Sequence, residues 1–329
     1  MSKIRLGIAG YGNVGRGVEY AISQNEDLEL VAIFTRRNPI EIQSKISGVK
    51  VCSIEQAENY TDTIDVMLLC GGSACDLIQQ TPYFASLYNC VDSFDTHAKI
   101  PEYFAMVDET SKKSNKLTII STGWDPGIFS LFRVLGMACL PKGCEYTFYG
   151  KGVSQGHSDA IRQIKGVKFA VQYTIPIDSA VNEVRKGNNP VLTPRQKHIR
   201  ESFVVAEPNA DLVFIEQTIK TMPNYFCDFD TIVHFISEEE FKTKHVEMPH
   251  GGFVFCTGTT GNENKHQQLM EFSLQLESNP EFTGSVMVAY ARAAHKMYQK
   301  GETGARTVFD VPVGMLVAES MEELRKRIL

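Results

Sequence analysis

The sequence predicts an α/β protein in which a doubly wound parallel sheet precedes a second domain of the α+β class. In the first third of the chain, short apolar runs alternate with helical patterns, which is typical of a parallel sheet covered by helices. A glycine-rich turn joins the first apolar run to the first helix. Beyond residue 123, β-rich segments with long connections replace the alternation, which indicates a second domain.

The first domain is predicted to contain residues 1–123 and a returning tail from about residue 284 to 329. Strands are predicted at residues 4–9, 28–34, 64–70, 89–94 and 116–122. Helices are predicted at residues 13–24, 76–88 and 101–114, the last with Pro101 at its start. Residues 38–60 are weakly patterned. The tail reads as a long helix over residues 284–300, which we expect to pack on the first domain.

The second domain is predicted to contain residues 124–283 and a mostly antiparallel sheet. Its β-rich segments are residues 145–153, 168–176, 201–207, 231–239 and 251–258. Helices are predicted near residues 177–187, 209–221 and 264–277.

Composition and charge exclude several functions. Apolar residues make up 43% of the 329 residues, so we expect packed cores. A net charge of −6 argues against a nucleic-acid-binding protein, because any basic site must be local. No stretch approaches the ~18 apolar residues of a membrane span, and the N-terminus lacks the features of a secretory signal. Both observations favour the cytoplasm.

The cysteines and histidines do not suggest a metal site. The eight cysteines form no C-x-x-C pair, and the histidines lack metal-ligand spacing. Most cysteines lie beside apolar residues, so we interpret them as reduced thiols in the core.

The glycine-rich turn fits the pattern G-x-G-x-x-G between a strand and a helix. It consists of Gly10, Tyr11, Gly12, Asn13, Val14 and Gly15. In such a turn the first glycine allows a tight bend, the second lets the backbone approach a pyrophosphate, and the third lets helix and strand pack. The pyrophosphate meets the N–H groups at the helix N-terminus. The motif therefore predicts a Rossmann-type sheet that binds a dinucleotide, and the alternative is a turn that packs and binds nothing.

The end of the second strand predicts which dinucleotide binds. Thr35, Arg36 and Arg37 lie where a carboxylate commonly holds the ribose hydroxyls of NAD. A guanidinium binds a phosphate through two hydrogen bonds, so two arginines favour the 2′-phosphate of NADP(H) over NAD(H). The alternative is a solvated basic pair at a strand end.

Other strand ends should line the same cofactor, because open α/β sheets bind ligands at their carboxyl edge. We expect this of the segments 70–74 and 92–95, and of Gly123 after the last strand. The residues predicted to line the cofactor are Cys70, Gly71, Gly72, Ser73, Asp92, Ser93, Phe94 and Gly123.

Three later segments are rich in polar side chains: residues 121–130, 149–162 and 247–252. Each also has a purely structural interpretation. Asp-Pro-Gly at 125–127 is a good β-turn, Ser158 or Asp159 could cap a helix starting near Ala160, and His250 could be an ordinary turn residue.

These segments also carry a family resemblance. The stretches "GYGNVGRGVE", "FTRR", "VDSFDTH", "STGWDPGIFS", "SQGHSDAIR", "QYTIP", "TMPNYF" and "MPHGG" occur in order from residue 10 onward. Together they resemble the meso-diaminopimelate D-dehydrogenase family over nearly the whole chain. The resemblance implies NADP-dependent, reversible oxidative deamination of the D-centre of meso-2,6-diaminopimelate to L-2-amino-6-oxopimelate and ammonia. It also implies a homodimer whose second domain binds substrate and carries the subunit contact.

The resemblance assigns roles to residues of this chain. Asp95 and Asp125 would bind the reacting D-amino group, with Trp124 and Tyr149 as walls. Gln155, Gly156 and Asp159 would border this end. Thr174, Arg200, His250 and Asn279 would hold the distal L-configured end, the first three by its carboxylate. Position 149 is Tyr where some members carry Trp, which keeps an aromatic wall.

Two questions stay open at this point. The catalytic base could be Asp95, Asp125, Asp159 or His157. No cofactor beyond NADP is needed, because the nicotinamide carries the redox step.

The second open question is the function itself. Alternative functions are another Rossmann amino-acid oxidoreductase, such as a dihydrodipicolinate-reductase-like enzyme, or a non-catalytic NADP-binding sensor. The His-His-x-x-Lys type of signature of the former is absent from the sequence.

Overall fold

The structure is a computed structural model that describes residues 2–73 and 75–329. The chain divides into two compact units, the first containing residues 1–131 and 280–329 and the second residues 132–279. The sequence places its boundaries at residue 123 and about residue 284. The functional division into a dinucleotide-binding domain and a substrate-binding domain stays a prediction.

The first unit contains a seven-stranded parallel sheet. Its strands are β1 (Ile4–Ala9), β2 (Leu28–Thr35), β3 (Lys50–Ser53), β4 (Val66–Leu69), β5 (Asn89–Asp92), β6 (Leu117–Ile119) and β14 (Gly304–Arg306). The spatial order is β14-β6-β5-β4-β1-β2-β3, and every neighbouring pair is parallel. This arrangement confirms the predicted doubly wound sheet of Rossmann type. The order reverses between β1 and β4, where such sheets bind ligands.

Helices cover both faces of this sheet because the strands alternate their apolar side chains between two cores. One core joins Leu6 and Ile8 of β1 to helices α1 (Asn13–Ser23) and α10 (Asn279–Gln299). The other core contains Phe34 and Met67 with helices α2 (Leu77–Ala85) and α3 (Ile100–Lys113). The strands are buried on both faces, which explains their continuous apolar runs.

The tail belongs to the first unit. Helix α10 buries small side chains, including Ala291 and Ala294, in the same core as β1. After α10, strand β14 adds to the sheet edge beside β6, and the last helix is α11 (Met321–Ile328).

The second unit contains two sheets. Strands β8 (Gly152–Val153), β9 (Val167–Pro176), β10 (His198–Ala206) and β11 (Asp230–Phe235) form one sheet in the order β11-β10-β9-β8. Strands β7 (Cys144–Tyr149), β12 (His250–Thr260) and β13 (His266–Leu276) form the other in the order β13-β12-β7. Only β10 and β11 pair in parallel. The helices of this unit are α5 (Gln155–Arg162), α6 (Asp178–Arg185), α7 (Pro194–Lys197), α8 (Leu212–Thr221) and α9 (Glu238–Lys244). The predicted α+β class is confirmed.

One predicted helix is wrong. Within the segment 264–277, predicted as a helix, residues 266–276 form β13, which pairs antiparallel with β12 along its whole length. Met270, Phe272, Leu274 and Leu276 are less exposed than their neighbours, so the segment alternates with period two. This alternation is typical of a strand covered on one face.

Other elements are missed or shifted. Helix α4 (Ile128–Cys139), whose sequence runs across the boundary of the units, is unpredicted because apolar residues such as Leu135 and Met137 also occupy exposed positions and hide the helical period. The short edge strand β3 falls in the weakly patterned segment. The predicted strand at 145–153 is two strands, and the one at 231–239 ends at Phe235, before α9.

The cysteines are less buried than predicted. Cys52, Cys90 and Cys256 are buried, but Cys75, Cys139, Cys144 and Cys227 are exposed, and all eight are free thiols. An apolar neighbour in the sequence does not bury a residue at the end of an element, as Cys139 and Cys144 illustrate. Among the described residues, no helix is both long enough and apolar enough to span a bilayer.

Candidate functional site

The glycine-rich turn has the conformation that its sequence predicts. Gly10 has φ +93°, a left-handed conformation that favours glycine. A Cβ on Gly15 would lie 2.2 Å from the carbonyl oxygen of Gly10, so the third glycine lets helix α1 pack against the turn. Gly12 differs from both, because a Cβ there would meet no atom within 4 Å. Protein packing therefore does not explain Gly12, whereas approach of a pyrophosphate does.

Helix α1 begins directly at this turn. Asn13 is its first residue and Gly12 its N-cap, and no side chain among the described residues caps it through a hydrogen bond. Its first N–H groups are suited to an anion. Val14 is half-buried and packs against the core around β1.

A buried carboxylate fixes the turn from behind. The hydroxyl of Tyr11 donates a hydrogen bond to Glu19, which is fully buried on α1. Glu19 also accepts hydrogen bonds from the hydroxyl of Ser44 and from the N–H groups of Lys45 (2.8 Å) and Ile46 (3.2 Å). Burial, together with Glu19, raises the pKa of Tyr11. Sequence reasoning missed Glu19, because its partners come from two other segments of the chain.

The two arginines after β2 lie at the turn. The guanidinium of Arg37 donates to the carbonyl oxygen of Tyr11, and its N–H donates to the hydroxyl of buried Thr35 at 3.1 Å. Arg36 is 63% exposed and forms an ion pair with Asp76 at 2.8 Å. The sequence predicts no carboxylate here, so Asp76 is a second residue that sequence reasoning missed.

These residues line a cleft of about 330 Å³ at the carboxyl edge of the sheet. It is lined by Gly10, Tyr11, Gly12, Thr35, Arg36, Arg37, Ile54, Cys70, Gly71, Gly72, Asp76 and Gln80. The structure therefore brings the glycine turn, the arginines and the first residues after β4 together. Burial raises the pKa of the Cys70 thiol, so this side chain stays uncharged in the cleft.

The ends of β4 and β5 also meet. The hydroxyl of Ser73 accepts a hydrogen bond from the N–H of Asp95 at 3.0 Å. Asp95 itself is exposed and Ser93 is half-buried. Ala74, part of the predicted segment 70–74, lies outside the described residues.

Two of the predicted cofactor residues have internal side chains. The carboxylate of Asp92 is fully buried and accepts hydrogen bonds from the hydroxyls of Thr81 (3.0 Å) and Tyr103 (2.5 Å) and the N–H groups of Phe94 (3.1 Å) and Ser121 (2.9 Å). Burial raises the pKa of Asp92 in spite of these donors. The buried ring of Phe94 stacks on Tyr103, with centroids 3.9 Å apart. Their side chains therefore stabilise the sheet edge, and the carbonyl of Asp92 and the N–H of Phe94 already have partners within the protein.

The segment 123–127 forms the predicted turn. Trp124 pairs with Gly127 across it, and the N–H of Phe129 donates to the carbonyl of Trp124 at 2.8 Å. Trp124 is buried against Phe129 with perpendicular rings, whereas Asp125 is half-buried. Gly123 is buried inside the turn.

Arg200 is the most unusual cation in the second unit. Its guanidinium donates to the hydroxyl of Thr174 and lies over the ring of Phe229, 4.0 Å from the centroid. Among the described residues, no carboxylate lies within 4.0 Å of it. Burial lowers the pKa of Arg200 to about 10, so the side chain is still a cation at neutral pH. Such a cation is well placed to bind an anionic ligand.

Strand register places other candidates next to Arg200. Arg200 lies opposite Thr174, and Thr174 lies opposite Gly152. A Cβ on Gly152 would lie 2.6 Å from His250, so these strands bring Arg200, Thr174 and His250 into one row. His250 also borders a cleft of about 610 Å³. The N–H of Asn279 donates to the carbonyl of Met248 at 2.9 Å, which ties Asn279 to the same segment.

Helix α5 contributes His157 to this region. Its Nδ1 lies 2.7 Å from the hydroxyl of Ser154, and its ring meets Tyr225 and Phe226 edge-on. Burial and the charge of Arg200 lower the pKa of His157 to about 4. The ring is therefore neutral at pH 7 and is a weak base.

The predicted start of this helix is wrong. Helix α5 begins at Gln155 with Ser154 as its N-cap residue, rather than near Ala160. Ser158 lies inside the helix and donates to the carbonyl of Ser154 at 2.6 Å. Gln155 and Gly156 are exposed on the first turn, and exposed Asp159 forms an ion pair with Arg162.

Tyr149 is held by a neutral histidine. Its N–H donates to Nε2 of His198 at 2.8 Å, and the two rings stack with centroids 5.9 Å apart. Burial, with Arg200 and Lys197 nearby, lowers the pKa of His198 to about 3. Sequence reasoning missed His198 and Phe229, because no local motif marks a residue that supports another across strands.

Comparison with known proteins agrees with this geometry. A family model described as the diaminopimelic acid dehydrogenase C-terminal domain matches residues 123–278. A meso-diaminopimelate D-dehydrogenase of Ureibacillus thermosphaericus is 62% identical over 329 residues, which are 100% of both chains. This chain belongs to the meso-diaminopimelate D-dehydrogenase family. The resemblance seen in the sequence motifs is confirmed.

Solved structures of similar chains extend the comparison. The DAP dehydrogenase of Corynebacterium glutamicum in complex with DAP is 42% identical, with a TM-score of 0.92 over 100% of both chains. An engineered D-amino acid dehydrogenase bound to NADP⁺ is 40% identical, with a TM-score of 0.87 over 100% of both chains. The meso-diaminopimelate D-dehydrogenase fold therefore applies to the whole chain.

Proposed function

We propose that this chain catalyses the NADP-dependent, reversible oxidative deamination of the D-centre of meso-2,6-diaminopimelate. With water and NADP⁺, the reaction yields L-2-amino-6-oxopimelate, ammonia, NADPH and a proton. Family membership supports the proposal, as do the similar chains solved with DAP and with NADP⁺. The observation in the chain itself that carries it is the half-buried guanidinium of Arg200, which has a hydroxyl partner and an aromatic partner but no carboxylate partner among the described residues.

The nucleotide cleft fits NADP. The open side of Gly12 and the first N–H groups of α1 suit the pyrophosphate, and Arg36 and Arg37 suit the 2′-phosphate. The other residues that we propose to line the cofactor through side chain or main chain are Gly10, Tyr11, Asn13, Val14, Gly15, Thr35, Cys70, Gly71, Gly72, Ser73, Asp92, Ser93, Phe94 and Gly123. When bound, NADP⁺ supplies the hydride acceptor.

The distal end of the substrate carries a carboxylate and an ammonium group. We propose that Arg200, Thr174 and His250 bind the carboxylate, because the register of β8, β9 and β10 aligns these residues. A guanidinium can donate two parallel hydrogen bonds to a carboxylate, which makes the contact directional. Asn279 is proposed as a further contact at this end.

The reacting end needs carboxylates for its ammonium group and a base for one proton. We propose Asp95 and Asp125 for both tasks, with Trp124 and Tyr149 as walls and Gln155, Gly156 and Asp159 at the border. Asp159 is the weaker candidate for the base because its carboxylate is paired with Arg162. His157 is also weaker, since its lowered pKa leaves little proton affinity at neutral pH.

We further propose that the protein is a homodimer, as the family resemblance implies, and that it acts in the cytoplasm. Static light scattering of the purified protein tests the dimer, since it gives the mass independently of shape.

Formation of NADPH tests the proposed reaction. Purified protein is given NADP⁺ and each diaminopimelate stereoisomer separately, with NAD⁺ as the control cofactor. We expect turnover with the meso isomer and NADP⁺ alone. Tight NADP⁺ binding without turnover of any isomer would contradict the proposal and favour the non-catalytic sensor.

A further inference from the structure

The polarity of the four-stranded sheet changes along the face that helices α5 and α8 cover. Val204, Ser202 and Arg200 of β10 follow at intervals of two residues and therefore share this face. Their partners on β9 are Ala170, Gln172 and Thr174. Val204 and Ala170 belong to the apolar core with Ile215 of α8. The face thus runs from an apolar pair, through Gln172 and Ser202, to the pair that contains Arg200.

The middle pair is buried without hydrogen-bond partners. Gln172 and Ser202 are both 0% exposed. The amide oxygen and nitrogen of Gln172 and the hydroxyl of Ser202 have no partner among the described residues. The same holds for Nε of Arg200 and for the hydroxyl of Thr231, which lies opposite Arg200 on β11. Buried polar atoms are nearly always paired, so a group of four such side chains on one face indicates a bound molecule.

Strand geometry indicates the size of that molecule. Directly opposite side chains have Cβ atoms about 4.5–5.5 Å apart, and positions two apart along a strand are about 6.6 Å apart. At these separations one small molecule can form hydrogen bonds to two neighbouring polar side chains. A buried water typically makes about three hydrogen bonds and bridges groups of this kind.

We propose that Gln172, Ser202 and Thr231 bind buried water that accepts a hydrogen bond from Nε of Arg200. Gln172 and Ser202 are then positioning residues: they act on the substrate through Arg200. Phe229 holds one face of the guanidinium, Thr174 holds Nη1, and the water holds Nε, which directs the remaining edge toward a carboxylate. This inference rests on the proposed role of Arg200 in binding the distal carboxylate of meso-diaminopimelate.

Two variants of the full-length protein test it: Gln172→Met, which keeps the side-chain volume, and Ser202→Ala. Each removes hydrogen bonds to the proposed water and so weakens the pairing of the buried Nε of Arg200, which should lower the melting temperature modestly. We expect KM for meso-diaminopimelate to rise about tenfold as Arg200 loses its orientation. The value of kcat should stay within about twofold, and KM for NADP⁺ should not change.

A matched control is Ser111→Ala. Ser111 is also 0% exposed, but its hydroxyl is hydrogen-bonded to that of Thr118 at 2.9 Å in the first unit. This variant should lower the melting temperature and leave KM for meso-diaminopimelate unchanged. Ser202→Ala and Ser111→Ala should therefore both lower the melting temperature, but only Ser202→Ala should raise KM for meso-diaminopimelate.

A crystal structure of the wild type gives an independent readout. We expect electron density for water within hydrogen-bond distance of both Nε of Arg200 and the hydroxyl of Ser202, and loss of that density in Ser202→Ala. Absence of water in the wild type would overturn the inference.

Kinetics separates its failure from that of the proposed function. If the wild type turns over meso-diaminopimelate but both variants keep its KM, the positioning role is wrong and the proposed function stands. If the wild type does not turn over meso-diaminopimelate, the proposed function fails first, and the positioning role fails with it.

Discussion

Arg36 and Arg200 are both proposed to bind an anionic group of a ligand, but their surroundings differ. Arg36 is 63% exposed and already paired with Asp76 in the first unit. Arg200 is half-buried in the second unit, lies over Phe229 and has no carboxylate partner among the described residues. An exposed arginine must give up water or a carboxylate when it binds its ligand, so its net contribution to the binding free energy is modest. A desolvated arginine lies in a lower dielectric, where its attraction to an anion is stronger.

The two sites also differ in how far the sequence predicts them. The glycine turn, the first strands and the two arginines after β2 follow from local patterns: apolar runs, a helical period and a short motif. The role of Arg200 does not, because "KHIRESF" reads as an ordinary strand with a surface charge. Only the family resemblance singles out Arg200. Kinetic and stability measurements can test whether the exposed and the half-buried arginine bind their anionic groups differently.

The largest expected effect in the nucleotide cleft follows from removing both arginines. In the double variant Arg36→Ala/Arg37→Ala, KM for NADP⁺ should rise about 10²-fold, since each charge-assisted hydrogen bond contributes about 1.5–3 kcal/mol. The KM for NAD⁺ should change only a few-fold, because NAD⁺ lacks the 2′-phosphate. Steady-state kinetics with both cofactors measures this, with exposed Lys50→Ala as the control. An equal loss with NAD⁺ would refute phosphate recognition.

The pKa of His157 predicts that the stability of the second unit depends on pH. The pKa of His157 falls from 6.5 when unfolded to about 4 when folded, through burial first and Arg200 second. Below pH 6.5 the unfolded chain binds a proton that folded His157 does not. The contribution of His157 to the free energy of unfolding is therefore fully present above pH 6.5. It is lost as pH falls toward about 4, and its size is at most about 3 kcal/mol.

Melting temperatures at pH 7 and pH 4.5 check this, for the wild type and for His157→Gln. The variant should lose less stability on acidification than the wild type. Equal losses would mean that His157 does not contribute.

The glycine turn offers a contrast within the first unit. Gly15→Ala puts a Cβ 2.2 Å from the carbonyl oxygen of Gly10, so the free energy of unfolding should fall by about 1–3 kcal/mol. Gly12→Ala meets no protein atom within 4 Å, so stability should change by less than about 0.5 kcal/mol. The affinity for NADP⁺ should nevertheless fall in Gly12→Ala. Chemical unfolding and fluorescence titration with NADP⁺ separate the two; an unchanged affinity in Gly12→Ala would argue against pyrophosphate contact.

The smallest expected effect concerns Asp76. Asp76→Asn removes a negative charge beside Arg36 while keeping an oxygen that can accept from the N–H of Gly72, now 3.1 Å from Asp76. KM for NADP⁺ should fall about two- to fivefold, consistent with an exposed ion pair of less than about 1 kcal/mol. A rise in KM would mean that Asp76 instead orients Arg36 for the phosphate.

Much of the fold was predictable because its signals are local. Strand β1, helix α1 and strand β2 combine apolar periodicity with a glycine motif, and the structure has them within a residue or two of the prediction. Strand β13 was predicted as a helix because apolar Leu269 and Met270 are adjacent and residues 266–268 are all polar, which interrupts the alternation in the first half of the strand. Helix α4 was not predicted because apolar residues also occupy its exposed positions, which hides the helical period.

The site was predictable only in part for a different reason. Glu19, Asp76, His198 and Phe229 act through contacts with residues far away in the sequence, and no spacing rule marks them. Asp92 and Phe94 were predicted at the cofactor edge, but the signal that located them cannot distinguish a side chain that faces a ligand from one that faces the core.

The most direct test of the account is kinetic discrimination between meso-diaminopimelate and D-lysine, which lacks the distal carboxylate, by the wild type and by Arg200→Met. If Arg200 binds that carboxylate, the substitution should lower kcat/KM for meso-diaminopimelate about 10²-fold and change kcat/KM for D-lysine only a few-fold, so the preference between them narrows. Equal losses with both substrates would contradict the account, because Arg200 would then stabilise the second unit without recognising the distal carboxylate.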